Sequence, residues 1–156
     1  MKAKVRLKRA TARDADDYVR IERSVESPIN LVTTNVDEAR KEIENPLALV
    51  WMVLYETKNV GLVQVQMLPG KHAYLAEIAI EPTYQGHGIG GDVLRTIVAK
   101  MRRAGACTMS LRTHEQNRAR QLYERHGFVV TGRLEDHGKS SSPRLVMSRK
   151  LQTEER

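Results

Sequence analysis

The sequence predicts an α/β domain on a mixed, mostly antiparallel central sheet of about seven strands with four helices, and three observations predict it. Between Ala48 and Ile80, three strand-like segments follow one another on short connections, as antiparallel neighbours do. From residue 77 the chain then reads strand, glycine-rich loop, helix. A further strand, helix and pair of strands complete it, so the order is β-α-α-β-β-β-α-β-α-β-β. A doubly wound fold would instead alternate strand and helix from the start.

Each element has its own signal. Val5-Arg6-Leu7-Lys8-Arg9-Ala10 alternates apolar and basic residues, as a half-buried strand does. A helix follows, with Asp14, Asp16 and Asp17 at its positive end and Tyr18, Val19 and Ile21 on its inner face. A short second helix runs from about Asp37 to Glu44, capped by Asn35 or Asp37 and stopped before Asn45-Pro46. Residues 29–36 lack a clear period and are either a packed connection or a loop that helps choose a substrate. The nearly continuous apolar run 48–55 reads as a buried strand. The turns Glu56-Thr57-Lys58-Asn59 and Pro69-Gly70-Lys71 separate it from the next two strands. Val93, Leu94, Ile97, Val98 and Met101 form the apolar stripe of the third helix, which stops at Ala104-Gly105. Residues 107–113 return parallel through this helical crossover. A helix from about Asn117 to Arg125 ends at His126-Gly127, and strands follow at Phe128-Val129-Val130 and Leu145-Val146-Met147. Residues 1–151 are read as one domain, and 152–156 as a frayed tail.

Composition narrows the function. A chain of 156 residues can bury a real core. No apolar run approaches the length of a membrane span, and the N-terminus lacks the apolar core of a signal peptide. One cysteine, Cys107, excludes an intrachain disulfide framework and suits a reducing cytoplasm. Its apolar strand context predicts a buried, inert thiol. The net charge of +7 is spread over the chain rather than gathered in a tract and reads mainly as a solvated surface, with a local excess around a phosphate-rich ligand, and aromatics of only 4% leave little material for stacking on nucleic-acid bases. No metal-ligating constellation is evident, and a homodimer is left open.

The glycine loop carries the chemistry. Gly86, Gly88, Gly90 and Gly91 leave amides uncovered at a helix N-terminus, where the first N–H groups lack partners. Such a turn suits a phosphate or pyrophosphate, beyond the needs of a tight turn. Gly86-x-Gly88-x-x-Gly91 matches the dinucleotide fingerprint, but no carboxylate ends the next strand, and Gly-Lys-Ser/Thr is absent.

Gln85-x-x-Gly88-x-Gly90, followed by Ala119-x-x-Leu122-Tyr123-x-x-x-Gly127-Phe128, resembles the two signature blocks of the GNAT superfamily of N-acetyltransferases. The resemblance covers nearly the whole chain and implies acetyl-CoA as co-substrate and an amine acceptor. It implies that the pantetheine arm pairs with the backbone of Ile78, Ala79 and Ile80, and that Gln85, Gly86, His87, Gly88, Ile89, Gly90 and Gly91 meet the pyrophosphate. Tyr123 matches the tyrosine that usually assists the departing thiolate. A base is required because a protonated amine has no free lone pair. Glu77, on the strand face opposite Ile78 and Ile80, is the first candidate. Glu81, sharing its face by periodicity, is the second, and His114 and Glu115 are weaker ones. His72 reads as a turn residue, and His137 lies in a distal loop that could approach the acceptor. Arg118, Arg120 or Arg125 either meets the 3′-phosphate or is a solvated helix charge. Two departures stand out. Arg112 occupies the position where ribosomal-protein acetyltransferases carry a glutamate, and spacing puts Gln116, with Asn117 one residue late, at the family's CoA-contacting asparagine.

The sequence thus points to transfer of an acetyl group onto a primary amine of unidentified kind by direct attack. The alternative is a non-catalytic acyl-CoA sensor on the same fold. A nucleic-acid module and a nicotinamide oxidoreductase are disfavoured by composition and topology.

Overall fold

The computed structural model describes residues 5–27, 35–135 and 143–151. The elements are β1 (Val5–Arg9), α1 (Ala15–Ser24), α2 (Val36–Glu44), β2 (Leu49–Tyr55), β3 (Lys58–Leu68), β4 (His72–Ile80), α3 (Ile89–Arg103), β5 (Thr108–His114), α4 (Ala119–Arg125), β6 (Val129–Leu134) and β7 (Arg144–Lys150). They form one seven-stranded sheet in the order β1-β2-β3-β4-β5-β7-β6. Only β4 and β5 pair in parallel; all other neighbours are antiparallel. The predicted class and order of elements are those observed.

Two apolar layers cover the sheet. On one face α3 buries Ile89, Val93, Leu94, Ile97, Val98 and Met101 against Val53, Val63, Leu75, Leu111 and Met147. On the other, Tyr18, Val19 and Ile21 of α1 and Ala39 and Ile43 of α2 pack on Val50, Met52, Leu62 and Ala79. The helical periodicity of each stripe sets which side chains face the strands. Asn35 caps α2, its side-chain oxygen accepting from the Glu38 amide at 2.8 Å. Arg20 ties α1 to the sheet, donating to the Asn59 carbonyl at 2.7 Å and to Glu81 at 3.0 Å.

The decisive irregularity lies at the middle of β4. Gln64 pairs with Glu77 but Val65 pairs with Leu75, so Ala76 is the extra residue of a bulge. Bulges re-aim side chains and end pairing. β4 pairs with β5 only from His72 to Leu75, opposite Thr108 to Leu111. Beyond that point the parallel strands splay, leaving the β5-facing edge of residues 76–80 open.

Three expectations need correction. Cys107 is exposed, because β5 starts at Thr108 and the cysteine lies in the connection after Gly105. His72 is the first residue of β4 rather than a turn residue, its ring bridging Thr108 Oγ1 at 2.5 Å and Ser110 Oγ at 2.6 Å. Helix α4 begins at Ala119, since Asn117 lies before it and its side chain accepts from the Ala119 amide at 2.9 Å. Residues 29–34, His137 and the tail 152–156 lie outside the described residues.

Candidate active site

The splay of β4 from β5 opens a cavity of about 610 Å³, within the usual range for small-molecule sites. One wall is residues 76–80 of β4, the second is Arg112, Thr113 and His114 of β5, and the end is closed by the loop 85–91 and by Asn117 and Tyr123. Glu77, Ile78, Ala79, Ile80, Gln85, Gly86, Gly88, Ile89, Gly90, Gly91, Asn117 and Tyr123 therefore meet around one space. His87 lines a neighbouring groove of about 670 Å³, with Tyr84, Arg95, Arg125 and His126. Gly88, Ile89, Gly91, Leu122 and Arg125 belong to both, so the two are continuous.

The loop conformation explains its glycines. Gly86 and Gly88 have φ of 81° and 80°, the left-handed region that side chains disfavour. Gly88 is the N-cap of α3. The first amide bonded back into the helix is Asp92 N, to Gly88 O at 3.1 Å. Among the described residues no hydrogen bond uses the amides of 86–91. They converge at the positive end of a fifteen-residue helix, which makes an anion cradle. The Gln85 side chain serves the scaffold, donating to the Ile80 carbonyl at 2.8 Å where the strand ends.

Glu77 points to the α1–α2 face, with Gln64 opposite it and Ala79 beyond. There it joins a group of acids that the sequence reading missed. Glu22 of α1 is only 1% exposed. Its carboxyl is hydrogen-bonded to Glu77, and its Oε2 has no partner. Tyr18 donates to Glu42 Oε2 at 2.7 Å. Burial, then the hydrogen bond and charge of Glu77, push Glu22 up to about 10. Burial also raises Glu77, against the lowering effect of the Glu22 hydrogen bond. Two buried carboxyls in contact cannot both ionise, so the pair holds a proton near neutral pH. The hydrogen bond between them raises Glu22 and lowers Glu77, so Glu22 is the better place for it, leaving Glu77 as the carboxylate facing the cavity. A signal existed in the sequence. Glu22 lies four residues after Tyr18, on the inner face of α1, and a carboxylate within an apolar stripe is unusual.

Tyr123 is 7% exposed, its ring packed edge-on against Phe128 with centroids 6.1 Å apart. Burial, followed by the negative charge of Glu77, raises its hydroxyl well above the ordinary tyrosine range. It remains a donor at any physiological pH.

The other candidates divide between those withdrawn from the cavity and those that line it. Glu81 lies past the end of β4 and is paired with Arg20. Arg120 is paired with Glu124 at 2.7 Å. Glu115 lies 3.5 Å from Arg133. Gln116 is exposed, whereas Asn117 lines the cavity. Arg118 and Arg125 line it too, as does His114. Among the described residues no group of acids, histidines and cysteines is arranged to hold a metal, and no helix is long and apolar enough to cross a membrane.

The site is thus a parallel strand pair splayed over a glycine-rich helix N-terminus, with a carboxylate and a tyrosine on the walls. The model of the Acetyltransferase (GNAT) family matches residues 16–128, and the chain belongs to that family. Among curated proteins it is 45% identical to the [ribosomal protein bS18]-alanine N-acetyltransferase of Haemophilus influenzae over 56 residues, 36% of this chain and 38% of that protein. It is 30% identical to the mycothiol acetyltransferase of Brachybacterium faecium over 106 residues, 60% of this chain and 32% of that protein. The chain thus spans well under half the length of these relatives. Among solved structures, the ribosomal-protein-S18-alanine N-acetyltransferase of Escherichia coli superposes with a TM-score of 0.82 at 17% identity, covering 97% of each chain. The PaiA N-acetyltransferase of Thermoplasma acidophilum, solved with coenzyme A, gives 0.72 at 16% identity over 94% of this chain and 99% of that one. At such identities the structural likeness concerns the fold.

Proposed function

We propose that this chain is an acetyl-CoA-dependent N-acetyltransferase that acetylates a primary amine by direct attack. The observation that carries the reading is the meeting of four features around one cavity: an open strand edge, unpartnered loop amides, Glu77 and Tyr123. The open edge of residues 76–80 suits the amide groups of a pantetheine arm, which would pair as an added strand. The amides of 86–91 suit a pyrophosphate. Arg125, which borders both cavities, is the arginine best located for a further phosphate. Acetyl-CoA supplies an activated thioester, and every other contribution comes from the protein.

Glu77 accepts a proton from the incoming ammonium, freeing the nitrogen lone pair. The nitrogen forms a bond to the thioester carbon as the carbon–sulfur bond breaks and sulfur takes the electron pair; the surplus proton left on the acylated nitrogen passes to that sulfur, so the products are the amide and the free thiol of CoA. Tyr123 keeps its own proton and donates a hydrogen bond to the developing thiolate, because its raised pKa makes full transfer unfavourable. Glu22 donates to Glu77 and fixes its orientation.

Thermal melting with acetyl-CoA, CoA, NADH and ATP tests the cofactor, since a ligand that binds only the native state raises the melting temperature by mass action. Both CoA species are expected to stabilise the protein, and NADH and ATP are not. Tyr123→Phe is expected to lower kcat for thiol release about 10- to 100-fold while leaving that stabilisation intact. No shift with either CoA species would sink the reading. A shift without turnover on any amine would favour the acyl-CoA sensor.

A further inference from the structure

The cavity is electrostatically divided. Its β4 side carries Glu77, backed by Glu22 and Glu42, whereas its β5–β7 side carries Arg112 and Arg144. Arg112 stands opposite Val146, and His114 opposite Arg144, in the antiparallel register. Directly paired residues share a sheet face, as do residues two apart on one strand. Arg112, His114 and Arg144 therefore project from the same face, with the two arginines diagonal neighbours. It is also the face of Glu77, because the register runs from Gln64 and Gln66 of β3 to Glu77 and Tyr74, and from Tyr74 to Ser110 of β5.

These cations differ from five other arginines. Arg20, Arg40, Arg95, Arg120 and Arg133 each have a carboxylate partner. Among the described residues neither Arg112 nor Arg144 has one, although both border a cavity that also holds Glu77. The Arg112 guanidinium lies 6.0 Å from the ring centroid of Tyr74, a contact that orients it without neutralising it. Between the arginines sits a third donor. His114 is 2% exposed, and its Nδ1 accepts from the Gln116 amide at 3.1 Å. A ring proton must then sit on Nε2, which is buried, has no partner, and belongs to a side chain lining this cavity. A buried donor without a partner costs free energy that an incoming acceptor atom recovers.

Resting on the acetyltransferase reading, we propose that Arg112, Arg144 and His114 form an anion subsite for the acceptor. The acceptor is then a primary amine that also carries a carboxylate, its ammonium held toward Glu77 and its carboxylate toward β5 and β7. A free amino acid and a peptide beginning with acidic residues both have this chemistry. Planar guanidinium groups suit a carboxylate because they can donate two parallel hydrogen bonds to it. The reading also gives a use to Arg112, an arginine where a glutamate was expected.

The test compares thiol release from acetyl-CoA with three acceptor sets: free glutamate and aspartate, peptides beginning with Glu or Asp, and neutral or cationic amines of matched size. The wild type is expected to favour one of the acidic sets, and which one identifies the source. Arg112→Gln and Arg144→Gln should each raise KM for that acceptor about tenfold or more, with the KM for acetyl-CoA and the melting shift by CoA unchanged. Arg112→Glu should reverse the preference toward cationic amines. Equal or better use of neutral or cationic amines by the wild type overturns the subsite, as does an unchanged acidic-acceptor KM in both glutamine variants. Calorimetric titration of the same acceptors into the CoA complex separates this from a failure of catalysis. Binding of an acidic amine that is lost in the glutamine variants sustains the subsite even without turnover, and no binding of any acidic amine refutes it.

Discussion

Glu22 illustrates how burial redirects the chemistry of one side chain. In water it would be ionised at neutral pH; in contact with Glu77 and near Glu42 it keeps its proton up to about pH 10. This has a consequence for stability whose sign is fixed. The unfolded chain loses the proton near the ordinary glutamate value of about 4.5. Above that pH the native state binds more protons than the unfolded state, so stability falls as pH rises toward about 10. Below pH 4.5 both states are protonated and the penalty vanishes. Glu22→Gln keeps the shape and a hydrogen-bond donor but removes the titration. It should raise the melting temperature at pH 8, by about 2–4 °C for each kcal/mol recovered, with little change at pH 4.5. An equal shift at both pH values would show that Glu22 does not carry the proton. Glu22→Ala, which removes the donor as well, should lower kcat, since Glu77 would lose the partner that orients it.

At the scale of elements, the loop between β4 and α3 does two jobs that a single residue type allows. Gly86 and Gly88 turn the chain through left-handed conformations, and the amides of 86–91 stay free of side chains. Gly88→Ala places a side chain at φ 80°, where nothing crowds the Cβ, so its cost is conformational strain alone. That cost is about 1–2 kcal/mol, too little to unfold the domain. The shift in the loop amides should weaken acetyl-CoA binding at least tenfold, measurable by calorimetry. A variant that melts lower but binds as tightly would assign the loop a purely structural role. Most of this element was legible in advance, because glycine density and the strand and helix on either side are local properties of the chain. The bulge at Ala76 was not legible. Nothing in His-Ala-Tyr-Leu-Ala-Glu announces it, since a bulge is set by pairing with β3.

At the scale of the molecule, one sheet separates two chemistries. The α3–α4 face carries the glycine loop and Tyr123, and the α1–α2 face carries Glu77 and the acids behind it. The splay of β4 from β5 brings them to one cavity. The helix holding the loop is anchored by the larger apolar layer, in which Ile97 is fully buried. Ile97→Ala should cost about 2–5 kcal/mol, seen as a lower urea midpoint with an unchanged slope. An Ile97→Ala protein of wild-type stability would mean that the layer repacks without strain.

The sequence by itself determined the fold class, the order of elements, the glycine loop and the family resemblance. These depend on short-range patterns: a period of two for strands, a helical stripe, turn residues, and motifs contained within a few turns of chain. It also pointed to Glu77 and Tyr123, through the motifs that surround them. Only the tertiary structure decided what stands beside them. Glu22 meets Glu77 from 55 positions away in sequence, Arg144 comes level with His114 through β7, and Glu81 is withdrawn by Arg20. Cys107 was misjudged for the same reason, because its exposure follows from where β5 begins rather than from its apolar neighbours. Proton affinity and ion pairing depend on distances through space, and those are fixed only when the sheet registers and the helices close over it.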